Sequence, residues 1–316
     1  MKRNLTFFTL QAIESIMEEL GAVPRIFNSE AQFQFEFAWK IKEKFDCEVK
    51  LEELSRTSVG KKDYTDIILE KDNLRIALEL KYKTAKYEDE SKNIYLKDHG
   101  AADLGAYDFL WDVHRIQLLT GMETSVRDEV KHPCDRGYAI ILTNDLHYWK
   151  DATIKGTINR DFLIGGGVYN RGVLYKKLHQ WYTLGGEVGY SKTLLNNPSR
   201  QPAIDLKRNY FIQWKPYRTI DTDKLNNEFK YMIVEIAPNS TTENDLEVID
   251  SMKDSIVVEI AKHIEKQYGK PWRKCMDLAE SALCWQKNYT IYDLSAISIE
   301  ELVAEVFKQI DNDVIK

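Results

Sequence analysis

Hydrophobic and polar residues follow two different periods along this chain. Over residues 6–20 apolar groups recur at every third or fourth position and stop at Gly21. A second run of that spacing starts after Asn28-Ser29 and continues to Phe45. Both predict amphipathic helices, the first closed by glycine and the second capped by serine. Residues 49–54 read as a strand that ends in the polar stretch 55–60. Two short apolar runs, 66–69 and 75–82, flank the turn-forming Glu70-Lys71-Asp72-Asn73 and predict a β-hairpin. Residues 84–97 carry too many charges for a core. Residues 100–119 predict a helix with Leu104, Tyr107, Leu110/Trp111 and Ile116 along one side, decorated by Asp108, Asp112, His114 and Arg115. The six apolar residues 137–142 predict a buried central strand.

Beyond residue 143 the pattern breaks into glycine- and asparagine-rich turns with short aromatic runs, then strands at 211–214 and 229–236. Residues 238–242, Pro-Asn-Ser-Thr-Thr, predict a boundary. Helical spacing returns over 246–268 and 275–285, and Ser298-Ile299-Glu300-Glu301 is a capping box that launches a last helix. The order predicts an α/β chain of the mixed-sheet, α+β kind: one domain over 1–240, then an acidic helical segment over 241–316 that suits a lid or a protein-partner surface.

Composition narrows the class. With 43% hydrophobic and 30% charged residues in 316, the chain reads as soluble and globular. No apolar run is long enough to cross a membrane, so no membrane partner is expected. Four scattered cysteines without metal-type spacing fit a reducing, cytoplasmic setting. The net charge of −6 hides an asymmetry: residues 1–149 carry −6, residues 150–218 carry +8 and residues 219–316 carry −8. A basic middle between acidic flanks points to a polyanionic partner. Within that middle Lys155, Arg160, Arg171, Lys176, Lys177, Arg200, Lys207 and Arg208 are the candidate nucleic-acid-binding residues. They are interleaved with aromatics such as Trp181, Tyr182 and Trp214, which are suited to stacking bases.

The candidate chemistry sits in the hairpin. Side chains two apart in a strand share a face, so Glu79 and Lys81 stand side by side while Ile76, Leu78 and Leu80 point the other way. Asp66 opens the preceding strand and falls across from Glu79. An Asp and a Glu converging with a Lys suit a hard cation and a cationic helper. Glu48-Val49-Lys50 and Glu228-Phe229-Lys230 repeat the Glu-x-Lys spacing without that partner strand. Glu30 and Gln34 form the polar head of the second helix's buried stripe, Glu30 being either a helix-end charge or a third acid, with Gln34 an accessory group. Metalloprotease, serine-hydrolase and phosphate-loop signatures are absent from the sequence.

Helix with Glu30, strand, hairpin with Asp66 then Glu79-Leu80-Lys81, helix and buried strand together resemble the PD-(D/E)XK nuclease superfamily over about residues 25–145. Thr65-Asp66 stands where the eponymous Pro-Asp would. The resemblance implies a restriction-endonuclease-like core, a central mixed sheet flanked by helices, with 150–218 as a basic, aromatic-rich β elaboration. It implies Mg²⁺, with Mn²⁺ as substitute, held by Asp66, Glu79 and the Leu80 backbone carbonyl. Lys81 would orient the attacking water and Glu30 would help hold metal or water. The expected activity is phosphodiester hydrolysis, a DNA endonuclease of restriction, defence or repair type, with RNA as the alternative substrate. A homodimer would ease double-strand cutting. The alternative is a nuclease-fold module that binds DNA or a protein with little turnover.

Overall fold

The computed structural model describes residues 8–23, 26–58, 61–122, 130–150, 158–165, 173–183, 187–220 and 223–238, with 261, 262, 265, 266 and 269. The chain divides into two compact units, one of Met1–Lys150, Ile154–Gly165 and Gly172–Ser240, the other of Asp151–Thr153, Gly166–Arg171 and Thr241–Lys316. The second falls almost wholly outside the described residues, as do the helices expected over 246–310.

In chain order the elements are α1 (Leu10–Ala22), α2 (Glu30–Phe45), β1 (Glu48–Ser58), β2 (Lys61–Lys71), β3 (Leu74–Lys83), β4 (Tyr87–Asp89), β5 (Ile94–Leu96), α3 (Ala102–Leu119) and β6 (Arg136–Thr143). After them come β7 (Val173–Leu174), β8 (Leu178–His179), the one-turn α4 (Lys192–Leu195), β9 (Ile204–Asp205), β10 (Tyr210–Phe211), β11 (Lys215–Thr219) and β12 (Glu228–Ile236). Six strands form one mixed sheet in the order β1-β2-β3-β6-β12-β11. Only β3 and β6 run parallel, joined by a crossover through α3; every other neighbour is antiparallel. The expected mixed sheet flanked by helices is present. Among the described residues no helix is long and apolar enough to cross a membrane.

Two cores lie on opposite faces of that sheet. Tyr138, Ile140 and Leu142 of β6 face α1 and α2 with Ile67, Ile76, Leu78 and Leu80, while Ala139 and Ile141 face α3. On the α3 side Phe162, Trp181, Ile204, Leu206 and Tyr210 complete the second core. Trp181, expected among base-stacking aromatics, is therefore an interior side chain.

The hairpin turn is tighter than the pattern implied. Lys71 pairs with Leu74, so only Asp72 and Asn73 connect the strands, and both take positive φ, 51° and 65°. This two-residue turn matches the twist of the strands it joins. Strand β1 runs on to Ser58 through the expected loop, because β2 begins early enough to pair with it. Gly21 does not end α1; it lies inside the helix, and a Cβ there would come 2.6 Å from the Tyr217 carbonyl oxygen. The expected strand at 211–214 is only β10, with β11 following it.

Gly137 is the packing device behind the site. A Cβ there would sit 2.2 Å from Ile116 Cγ2 and 2.9 Å from the Ala77 carbonyl oxygen. Its bare backbone lets α3 settle close over β3 and β6, which brings that helix's charged residues down onto the sheet.

Candidate active site

Strands β2 and β3 part company at the candidate site. Their last ladder pair is Ile67 with Leu78, and one more step would set Asp66 opposite Glu79. Beyond it β2 stays with β1, leaving backbone groups on that edge of β3 without a strand partner. Two carboxylates fill the gap. The Leu80 N–H donates to Asp66 Oδ2 at 2.7 Å, and the Tyr82 N–H donates to Glu30 Oε2 at 2.7 Å. Alternate residues of a strand turn N–H and C=O to the same edge, so the Leu80 carbonyl opens beside the Asp66 carboxylate.

Helix α2 supports this opening. Ser29 caps it by accepting the Gln32 N–H, which places Glu30 in the first turn above a buried stripe of Phe33, Phe37, Ala38 and Ile41. Gln34 Nε2 donates to the Asp66 carbonyl oxygen at 2.8 Å and to Glu52 Oε1 at 3.0 Å. Glu52 faces Asp66 from β1 with φ of 50°, a left-handed backbone in the middle of a strand. Non-glycine residues pay for that conformation and gather at functional sites. No sequence signal marks it.

Glu79 and Lys81 leave the α3 face of β3, as the alternation requires. What they meet there was read from sequence as helix decoration, and that reading is corrected. Asp112 is 3% exposed, three residues after buried Phe109 and four before buried Ile116. It therefore lies on the helix stripe that presses on the sheet. Lys81 Nζ is 2.8 Å from Asp112 Oδ2. Arg115 Nη2 is 3.1 Å from Glu79 Oε1 and Nη1 is 3.7 Å from Asp112 Oδ1, while Arg115 also donates to the Tyr64 carbonyl oxygen. Glu79 is 1% exposed.

Three acids and two bases thus share one buried cluster, and the acids are under-neutralised. Burial raises the Asp66 carboxyl from 3.8 to about 6; the Leu80 N–H and Lys81 oppose that rise, and Asp112 and Glu30 add to it. Glu79 is pushed well above the usual carboxylate range by burial and by Asp112 and Asp66, against the pull of Arg115. Burial likewise raises Asp112 against Lys81 and Arg115. Burial disfavours the Lys81 ammonium, yet Asp112, Glu79 and Asp66 together hold its pKa above the ordinary lysine value. Lys81 is a permanent cation here.

Asp66, Glu79 and the Leu80 carbonyl fit a hard cation by chemistry: oxygen donors, more carboxyls than basic groups in the cluster, and a Glu79 Oε1 that accepts no hydrogen bond. Among the described residues no three His, Cys, Asp or Glu side chains form a ready-made metal cage. Two carboxylates with a carbonyl are nonetheless a donor set that Mg²⁺ uses, since it keeps several waters.

The basic residues expected to contact nucleic acid have a variety of partners. Lys155 and Arg171 lie outside the described residues. Arg160 sits 3.6 Å over the Tyr182 ring, and the backbone N–H of Lys176 donates to Asn209 Oδ1. Lys177 pairs with Asp161 at 2.6 Å, Lys207 with Asp205 at 2.5 Å, and Arg200 grips Asp108 at 2.6 and 2.8 Å. Arg208 donates to the carbonyl oxygens of Ala237 and Pro238. Among the described residues of this set, Lys177, Lys207 and Arg200 thus have internal acidic partners.

Comparisons with protein-family models, with curated proteins and with solved structures return no match. The functional reading rests on the site alone.

Proposed function

We propose that this chain is a Mg²⁺-dependent nuclease of the PD-(D/E)XK type, acting on DNA. The observation that carries the reading is the parting of β2 from β3, which leaves Asp66, Glu79 and Lys81 around one opening of the sheet. Asp66, Glu79 and the Leu80 carbonyl would hold the metal, and bound Mg²⁺ supplies a water acidified for attack and charge neutralisation at a phosphoryl group. Lys81, kept charged by Asp112, orients that water and meets negative charge on the phosphate. Glu30, fixed on the Tyr82 N–H, borders the same opening as a third acid, and Gln34 holds the Asp66 backbone in place.

Residues 150–218 supply the counter-charge for a nucleic-acid backbone in this reading, with RNA as the alternative substrate. Residues 241–316 would serve a protein partner or a second copy of the chain. A module that binds without cutting is the competing reading, and one observation favours it: Glu79 already has a cationic partner in Arg115.

The test is cleavage of closed circular plasmid with Mg²⁺, beside a chelator control and Lys81→Ala. Nicked or linear product that disappears with chelator, and falls by about 10²–10³-fold in the variant, supports hydrolysis at this site. Undiminished cleavage by Lys81→Ala clears the site of responsibility.

A further inference from the structure

We infer that Arg115 is the resident counter-ion of this site: it holds the Glu79 carboxylate until a divalent cation takes that place. The inference rests on the metal-site reading above and adds a positioning residue to it.

Three observations carry it. A carboxyl as deep as Glu79, 1% exposed, gives up its proton only beside a compensating charge, and Arg115 stands ready as one at 3.1 and 3.3 Å from its two oxygens. The hold is incomplete, because the near oxygen, Oε1, accepts no hydrogen bond. Arg115 also has an alternative acceptor within reach, Asp112 Oδ1 at 3.7 Å, three residues back on the same helix. A guanidinium released from Glu79 therefore keeps an acidic neighbour.

Arg115 also donates to the Tyr64 carbonyl oxygen, a contact that does not depend on Glu79. Arg115 is 18% exposed, and it lines a small cleft with Ser55, Arg56, Asp63, Thr65 and Leu119. It spans the distance between a closed carboxylate and open surface. Lys81 is unsuited to the part, since Asp112 holds its ammonium at 2.8 Å.

A guanidinium and a divalent cation repel one another across a shared carboxylate, and inside a protein that repulsion is strong. Arg115 therefore sets how tightly the metal binds. In the metal-free protein it offsets the charge of Glu79, and it weakens the cation's grip.

The experiment is calorimetric titration of the full chain with Mg²⁺ alone, comparing wild type, Arg115→Gln, Arg115→Lys and Glu79→Gln. Arg115→Gln should bind Mg²⁺ at least about tenfold more tightly than wild type. Arg115→Lys, which keeps the charge, should return close to the wild-type affinity, and Glu79→Gln should lose the binding. Equal affinity in wild type and Arg115→Gln, with binding still lost in Glu79→Gln, overturns the counter-ion role and leaves the metal site standing. Binding that is absent throughout, or indifferent to Glu79→Gln, overturns the metal site and this inference with it. If Arg115→Gln does not fold, wild type still decides: the Arg115 guanidinium N–H resonances should shift as Mg²⁺ is added. Resonances unmoved at saturating Mg²⁺ would refute the exchange.

Discussion

Lys81 Nζ lies 2.8 Å from Asp112 Oδ2, across the interface between β3 and α3. The ammonium side chain is 17% exposed and the carboxylate 4%, so each is the other's main substitute for water. The pairing ties the lysine of the Glu79-Leu80-Lys81 triplet to a helix that sequence spacing left apart from it.

Breaking that pair should cost stability, because a buried charge stripped of its partner is expensive. Asp112→Ala leaves Lys81 unpaired and is expected to lose about 3–5 kcal/mol, whereas Asp112→Asn, which keeps an acceptor, should lose less. Urea unfolding of the two variants beside wild type measures the difference. Equal and negligible losses would mean that water reaches the pair freely.

Asp66 should cost the fold stability at neutral pH. Its folded-state pKa is raised from 3.8 to about 6, so the native state binds the proton more tightly than the unfolded chain does. The contribution of this group is greatest below about pH 4 and is lost as pH rises through about 6. Asp66→Asn, which still accepts the Leu80 N–H, is therefore expected to stabilise the protein by up to about 3 kcal/mol at pH 8. The gain should fade toward pH 4. Thermal unfolding of both proteins across that range is the check, and a gain independent of pH would contradict it.

Mg²⁺ should reverse the same penalty. A ligand that binds only the folded form raises its stability in proportion to RT ln(1 + [L]/Kd), and a proton on Asp66 competes with the cation. Mg²⁺ is expected to raise the melting temperature of wild type at pH 8, to raise it less at pH 5, and to leave Asp66→Asn nearly unmoved. A shift of the same size in all three cases would place the binding elsewhere.

Gly137 should tolerate no side chain. Gly137→Ala puts a methyl 2.2 Å from Ile116 Cγ2 and 2.9 Å from the Ala77 carbonyl oxygen, which forces α3 away from β3. The expected cost is about 1–3 kcal/mol of overpacking, together with a weaker Lys81–Asp112 contact. Denaturant unfolding reads the first, and loss of Mg²⁺-induced stabilisation reads the second.

Local periodicity made β1, β2, β3, β6 and β12 of the sheet and both helices around the site legible, though not β11, because the face of β3 that carries Glu79 and Lys81 follows directly from alternation. The serine cap before Glu30 was equally local. Asp112 and Arg115 were not visible as partners, because which stripe of α3 is buried depends on Gly137 and on Phe162, Trp181 and Ile204 covering the helix from outside. A helix buried on two sides loses the one-sided pattern that betrays a surface helix. Glu52 was equally hidden, since no glycine announces its positive φ. The basic run at 150–218 was legible as charge, but the pairing of Arg200 with Asp108 and of Lys177 with Asp161 depends on tertiary neighbours.

Anomalous diffraction from crystals soaked in Mn²⁺ addresses the metal site directly. One strong peak within coordination distance of Asp66 and Glu79 oxygens, beside the Leu80 carbonyl and with Lys81 still on Asp112, is the expected result. No peak there at saturating Mn²⁺, with Arg115 still on Glu79, would contradict a metal-dependent nuclease at this opening of the sheet.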